Sequence, residues 1–278
     1  MIYLILAVLC SVLISVIMRL STDKVKNNIS MLAMNYVMCI FIALLFSGIG
    51  NVLTYSNEVF KTIWFGIVNG IFYLMGFVLF QYNVKKNGVV LSSVFMRLGL
   101  LVPLIISLLV FQEIPGIIQI LGSLLAVVSI IILNLNKKQK LSKSSYLLLF
   151  LLLASGAGDA MSKIYEEYGT EELASQFLLY TFFVALLLCI IFAVIKKQKF
   201  GKNEIVFGLI IGIPNFFSAK FLLMSLKTVP GIVAYPTYSI ATLLIVTLVG
   251  VFYFKEKLSP IQWVAVVGIF IAIGLLNI

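Results

Sequence analysis

Three ionisable residues stand inside otherwise apolar runs of the chain: Arg97, Asp159 and Lys220. A charged side chain within a membrane-length apolar run costs about 2.5 kcal/mol or more, so each is a site candidate by default. Arg97 falls near the middle of its run. Asp159 and Lys220 each lie past the centre of theirs by a similar number of residues, so at ~1.5 Å rise per residue they share a depth if the two runs cross in the same direction. Such a pair neutralises itself and leaves Arg97 as the unmatched cation. A planar guanidinium fork suits a carboxylate or phosphate. The expectation is that Arg97 binds an acidic group of a small solute, with Lys220 assisting. The competing structural reading is that these charges pair only with each other or with backbone carbonyls.

Neutral polar residues extend the candidate site. Asn35 and Tyr36 fall in the second apolar run, Asn69 and Tyr73 in the third, and Ser92 and Ser93 in the fourth. Tyr180 and Thr181 fall in the seventh, Asn215 and Ser218 in the eighth, and Tyr235 and Tyr238 in the ninth. Singly, each could be interhelical glue worth ~0.6 kcal/mol. Together, in the first four runs of each half and sparsely in runs five and ten, they predict a wet cavity. Pro103, Pro214 and Pro236 also lie within runs, where a missing backbone donor loosens a helix locally. They read either as bending points or as static kinks.

The elements that must position these residues follow from composition. The 278 residues are 62% hydrophobic and 11% charged, and the apolar residues come in runs close to the ~20 needed to span a hydrocarbon core. Ten spans are expected, near 2–20, 30–48, 60–82, 88–111, 115–135, 145–164, 172–195, 204–226, 231–254 and 260–277. The expected class is an all-α integral membrane protein with no separate soluble domain. The first run lacks a basic leader and a convincing cleavage pattern, so it reads as a retained helix rather than a signal peptide. Cys10, Cys39 and Cys189 all fall within runs and read as small core residues, not as a disulfide framework or a metal site.

The net charge of +10 does not point to nucleic acid, because the lysines cluster between spans. Lys137, Lys138, Lys140 and Lys143 form one group, and Lys196, Lys197, Lys199 and Lys202 another. Such clusters attract anionic lipid headgroups and set topology. Loops after odd-numbered spans hold fifteen of the twenty basic residues, and Lys61, Lys163 and Lys227 are assigned to loops after even-numbered spans. Basic short loops stay cytoplasmic, which predicts both termini outside.

The chain also repeats. A shift of 143 places Gly88 on Gly231, Val90 on Val233, Glu113 on Glu256, Gln119 on Gln262 and Asn134 on Asn277. A shift of 142 places Gly66 on Gly208 and Gly70 on Gly212. Residues 1–136 and 144–278 are thus expected to be two five-helix repeats. Five is odd, so the second must insert the opposite way, as in secondary carriers with a substrate near midplane.

The layout, the half-repeats and the acidic residue closing spans four and nine carry a resemblance. The segments are Phe111-Gln112-Glu113 and Phe254-Lys255-Glu256-Lys257-Leu258-Ser259. With the ten spans they resemble the drug/metabolite transporter superfamily, EamA-like branch, over essentially the whole chain. The resemblance implies two inverted five-helix repeats around a central cavity lined by the first four helices of each half. It also implies termini in the cytoplasm, opposite to the lysine count. The function it implies is secondary active transport by alternating access, in the cytoplasmic membrane. With Arg97, the expected cargo is a small carboxylate-bearing metabolite such as an amino acid or organic acid.

Other classes fit less of the chain. Gly156-Ala157-Gly158-Asp159 matches a string of intramembrane aspartyl proteases, but that chemistry needs a second carboxylate nearby, and the only other Asp is Asp23 in the first loop. The absence of His excludes His-based zinc and Ser-His catalysis. No Gly-rich phosphate loop indicates an ATPase engine. Proton-coupled export of cationic drugs through Asp159, as in small multidrug resistance proteins, is the nearest alternative, and a lipid-flippase subunit is another. The expected partners are a small-molecule substrate, membrane lipids and a proton or ion if coupling occurs. Neither cofactor, metal nor nucleic acid is expected, and a monomer or homodimer is.

Overall fold

The computed structural model describes residues 1–48, 56–134 and 146–278, so the Lys137–Lys143 cluster lies outside the described residues. Among the described residues the regular structure is helical throughout. Within a bilayer, a helix satisfies every backbone N–H and C=O internally, and apolar runs of this length have no cheaper solution. The helices are α1 (Ile2–Ser21), α2 (Asn28–Ser47), α3 (Asn57–Asn87), α4 (Val89–Arg97), α5 (Leu101–Leu109) and α6 (Ile117–Asn134). They continue as α7 (Tyr146–Tyr168), α8 (Ala174–Ile195), α9 (Lys202–Leu226), α10 (Gly231–Phe252) and α11 (Pro260–Leu276). A 3-10 turn, Leu98–Leu100, joins α4 to α5.

Eight segments are long and apolar enough to cross a membrane, α4 and α5 together counting as one. The expected fifth and tenth spans are shorter. α6 has 18 residues and α11 has 17, or ~25–27 Å at 1.5 Å per residue, just under a ~30 Å hydrocarbon core. The fifth run loses its first two residues, Pro115 and Gly116, to the preceding turn, and the tenth begins at Pro260 as expected. Gln112 and Lys255 hold positive φ of 53° and 58°, and the helices begin only after Pro115-Gly116 and at Pro260. α11 starts with a capping box, Ser259 accepting from the Gln262 N–H and Gln262 reaching back to the Ser259 N–H.

The chain forms two compact units, each drawing helices from both halves of the sequence. The first comprises Met1–Leu74 and Ile164–Lys227. In it α2 packs between α8 and α9, and α1 lies along α9. Glycines set the closest approaches. A Cβ on Gly66 would lie 2.5 Å from Tyr180 Cβ, 3.1 Å from Phe177 O and 3.2 Å from Thr181 N. A Cβ on Gly208 would meet Met31 O, Met34 Cβ at 2.6 Å and Asn35 N at 3.1 Å. One turn on, Gly70 abuts Thr181 O and Val184 Cβ, as Gly212 abuts Asn35 O and Met38 Cβ. The same atoms are met each time, by glycines 142 positions apart and partners 146 apart.

The second unit comprises Met75–Lys163 and Thr228–Ile278. Here α6 packs along α11, and α10 touches α5 and α11. Gln262 Nε2 donates to Leu133 O at 2.9 Å, tying α11 to the end of α6. The turns that follow α5 and α10 are alike. Glu113 N–H donates to Ser107 O and Glu256 N–H to Gly250 O, both at 3.0 Å, while Phe111 and Phe254 donate to Ile106 O and Val249 O, both at 3.3 Å.

Candidate functional site

Arg97 is the last residue of α4, at a break inside the span Leu91–Leu109. Pro103 explains the break. It has no N–H, and its ring excludes the carbonyl four residues earlier, that of Gly99; the chain takes a 3-10 turn there and resumes as α5. The turn is pressed against α7, since a Cβ on Gly156 would collide with Gly99 O, and one on Gly99 would lie 2.5 Å from Ser155 Oγ. Ser155 Oγ also donates to Met96 O at 3.2 Å. The Arg97 side chain is half-buried, and Tyr238 of α10 lies in its vicinity. Among the described residues it has no carboxylate at ion-pair distance. Ser93 lies one turn before Arg97 on the same face of α4.

Asp159 follows Ser155 and Gly156 by four and three residues on α7, so it shares the face that meets the Arg97 turn. It is half-buried, and among the described residues its carboxylate has no hydrogen-bond or ion-pair partner. Its backbone carbonyl accepts the Tyr235 hydroxyl at 2.9 Å, and Tyr235 is 1% exposed. Tyr235 and Tyr238 are three residues apart and share one face of α10. α4, α7 and α10 therefore meet around Arg97, Asp159, Tyr235 and Tyr238.

One turn beyond Asp159, Lys163 corrects the loop assignment given to it from the sequence. It lies within α7, is 3% exposed, and its Nζ stands 3.0 Å from Glu113 Oε1 and 5.4 Å from the Phe111 ring centroid. Glu113 Oε2 accepts the Ile232 N–H at 2.9 Å, at the first turn of α10. Burial pushes the Glu113 carboxyl up, but the Ile232 N–H, Lys163 and the Gly231 N–H outweigh it and hold the group below its usual range. Sequence reasoning singled out Glu113 as a motif and missed its partner. Two signals existed: Lys163 is four residues from Asp159, and it is still within helical range of an apolar run.

The remaining candidates lie in the first unit. Asn69 Nδ2 donates to Thr181 Oγ1 at 3.3 Å, Asn215 Nδ2 to Asn35 Oδ1 at 3.1 Å, and Ser218 Oγ to Ala7 O at 3.2 Å. Tyr73 meets Phe182 edge-on, 5.9 Å between centroids. These groups bond to neighbouring helices, and Asn69 Oδ1 is left buried without a hydrogen-bond partner. Lys220 Nζ lies 3.4 Å from the Phe46 ring centroid and 5.8 Å from that of Phe216, a cation–π seat that stabilises an ammonium without a carboxylate. α9 and α10 continue through Pro214 and Pro236, so of the three prolines only Pro103 coincides with a break. No group of three or more metal-ligating side chains occurs among the described residues.

The comparisons agree with this architecture. A relative from Haemophilus influenzae, known only as an uncharacterized protein, is 23% identical over 275 residues, covering 95% of this chain and 93% of its own. A protein of known crystal structure superposes with a TM-score of 0.78 at 12% identity, over 99% of this chain and 98% of that one. At that identity it speaks to the fold alone. The family model of the EamA-like transporter family matches residues 1–135 and again 143–278. The chain is a multi-pass membrane protein and belongs to the EamA-like transporter family, a branch of the drug/metabolite transporters.

Proposed function

We propose that this transporter is a secondary carrier of small carboxylate-bearing metabolites, with Arg97 as the group that binds the carboxylate. The observation that carries the reading is the placement of a half-buried guanidinium at a helix break within a span, without a carboxylate partner among the described residues. A cation held there is costly until an anion joins it, and a solute carboxylate meets the guanidinium fork with two parallel hydrogen bonds. Residues 1–136 and 144–278 act as inverted repeats that alternate access to the two sides of the membrane. Support comes from the matched glycine contacts, the matched turns after α5 and α10, and the family match that recurs in each half. Five crossings per repeat reverse the insertion of the second.

Asp159 favours a second reading, proton-coupled export of cationic amines, because its carboxylate has no partner among the described residues. The two readings separate in proteoliposomes loaded with organic acids and quaternary amines, with protein-free liposomes as the baseline. Flux of acids that is lost in Arg97→Gln supports the carboxylate carrier. Flux of quaternary amines alone, lost in Asp159→Asn and kept in Arg97→Gln, overturns it.

A further inference from the structure

We infer that Lys220 anchors a site for one anionic phospholipid, its ammonium receiving the lipid phosphate at the membrane face where α2 and α9 end. The inference does not depend on the carboxylate-carrier reading, and every residue of the site lies in the first unit. Lys220 belongs to the outward row of α9. Val206, Ile210 and Ile213 of that row are exposed, and half-buried Phe217 and Lys220 continue it at helical spacing. On α2, Phe41, Leu45 and Phe46 are exposed as well. Exposed Val, Ile, Leu and Phe on membrane-spanning helices match acyl chains, which are as apolar as they are. The shift of 142 that aligns Gly66 with Gly208 sets Lys220 against Val78, so the row itself requires no cation.

The ammonium sits at the depth of helix ends. Lys220 is six residues before the end of α9 at Leu226, or ~9 Å at 1.5 Å per residue. Its Nζ stands 3.4 Å from the centroid of the Phe46 ring, and Phe46 is the penultimate residue of α2. Phe217 meets Phe46 edge-on at 5.9 Å, and Tyr3, exposed in the first turn of α1, stacks on Phe221 at 6.3 Å. A lysine at this level snorkels to the headgroups, and a tyrosine marks the interface. The ring face attracts the cation but leaves its N–H donors unused, and among the described residues Nζ has neither a hydrogen bond nor a carboxylate at ion-pair distance. Lysines at the neighbouring helix ends carry their own acids, Lys61 with Glu58 at 3.2 Å and Lys227 with Glu171. Lys196, Lys197 and Lys199 precede the start of α9 and so serve the opposite leaflet. An anionic headgroup brings phosphate oxygens to the unused donors while its acyl chains lie along the row from Val206 to Phe217. A zwitterionic headgroup offers the same phosphate beside a cation of its own, which weakens the attraction.

The test is native mass spectrometry of the full chain in detergent, titrated with equimolar phosphatidylglycerol and phosphatidylcholine of identical acyl chains. Wild-type protein should retain phosphatidylglycerol preferentially. Lys220→Gln should lose one such adduct, binding it about fivefold more weakly, the factor that corresponds to ~1 kcal/mol for one lysine near an anionic surface. Lys220→Arg keeps the charge and should keep the adduct. Loop lysines hold further lipids in all three proteins, so the readout is the single adduct that differs, and size-exclusion profiles should show both variants folded. Equal retention of phosphatidylglycerol by wild type and Lys220→Gln overturns the inference. A rise in apparent Tm with inorganic phosphate alone, present in wild type and lost in Lys220→Gln, also overturns it, because the ammonium would then face a water-filled space and not the bilayer.

Discussion

Lys163 Nζ lies 3.0 Å from Glu113 Oε1, and the same carboxylate accepts the Ile232 N–H at 2.9 Å. One acidic residue thus closes the end of α5, caps the start of α10 and neutralises a lysine buried in α7. Removing either partner strands the other. Glu113→Gln should cost about 3 kcal/mol, the scale for breaking a largely buried pair. Lys163→Met with Glu113→Gln should cost less than the sum of the two single changes. Thermal unfolding of the purified variants in detergent checks both, and additive costs would contradict the pairing.

The same group gives a pH signature. The Glu113 carboxyl is held below its ordinary value of 4.5. A depressed native value contributes stability that is fully present above the ordinary value and lost as pH falls through the native one. Wild-type protein should therefore lose apparent Tm below about pH 4.5 more steeply than Glu113→Gln. Parallel curves for the two proteins would show that Glu113 is not the group responsible.

Gly66 and Gly208 should respond alike, because they meet equivalent atoms of α8 and α2. Substitution by Ala forces a methyl into backbone and Cβ contacts, an overpacking cost of ~1–3 kcal/mol. At Gly274, where a Cβ meets nothing within 4 Å, the same change should cost well under 1 kcal/mol. Thermal shifts of the three variants test this. A large difference between Gly66→Ala and Gly208→Ala would count against the equivalence of the two halves.

Pro103 is predicted to matter for transport more than for folding. Pro103→Ala returns a donor toward the Gly99 carbonyl and lets α4 and α5 approach a continuous helix. Apparent Tm should stay level or rise, while flux of the preferred solute falls several-fold as the Arg97 turn is remodelled. Unchanged flux would mean that the break does not position Arg97.

Much of this was legible in the sequence, for a physical reason. Apolar runs near 20 residues admit one solution in a bilayer, so the spans around Arg97, Asp159 and Lys220 could be drawn from the sequence. The turns that precede α6 and α11 could not, because the positive φ of Gln112 and Lys255 is not marked by a glycine or an asparagine. Lys163 was misread because a lysine near the end of an apolar run looks like a loop residue until its acid, fifty positions earlier, is placed beside it. Asn35, Asn69 and Asn215 could not be sorted between cavity and glue, since the same amide serves either. In the first unit they bond with Asn215, Thr181 and Asn35 respectively, and Asn69 Oδ1 stays buried without a hydrogen-bond partner. That the compact units mix helices from both halves is a property of long-range packing that no local pattern carries.

Orientation is open to direct measurement. The lysine bias predicts that the segment carrying Lys196, Lys197 and Lys199 faces the cytoplasm. A Lys199→Cys variant made on a Cys10→Ser background should react with a membrane-impermeant maleimide in inside-out vesicles and stay unlabelled in intact cells, Cys10 being half-buried and the other native thiols, Cys39 and Cys189, buried. Labelling in intact cells instead would reverse the assignment and place the termini inside.

The carrier account turns on the guanidinium at the break between α4 and α5, and counterflow of acidic solutes in proteoliposomes bearing Arg97→Gln and Arg97→Lys examines it most directly. The account predicts flux near the protein-free baseline for Arg97→Gln, and for Arg97→Lys a partial recovery with weakened apparent affinity, a point charge replacing a two-pronged donor. Wild-type flux of every carboxylate in a correctly folded Arg97→Gln protein would contradict it.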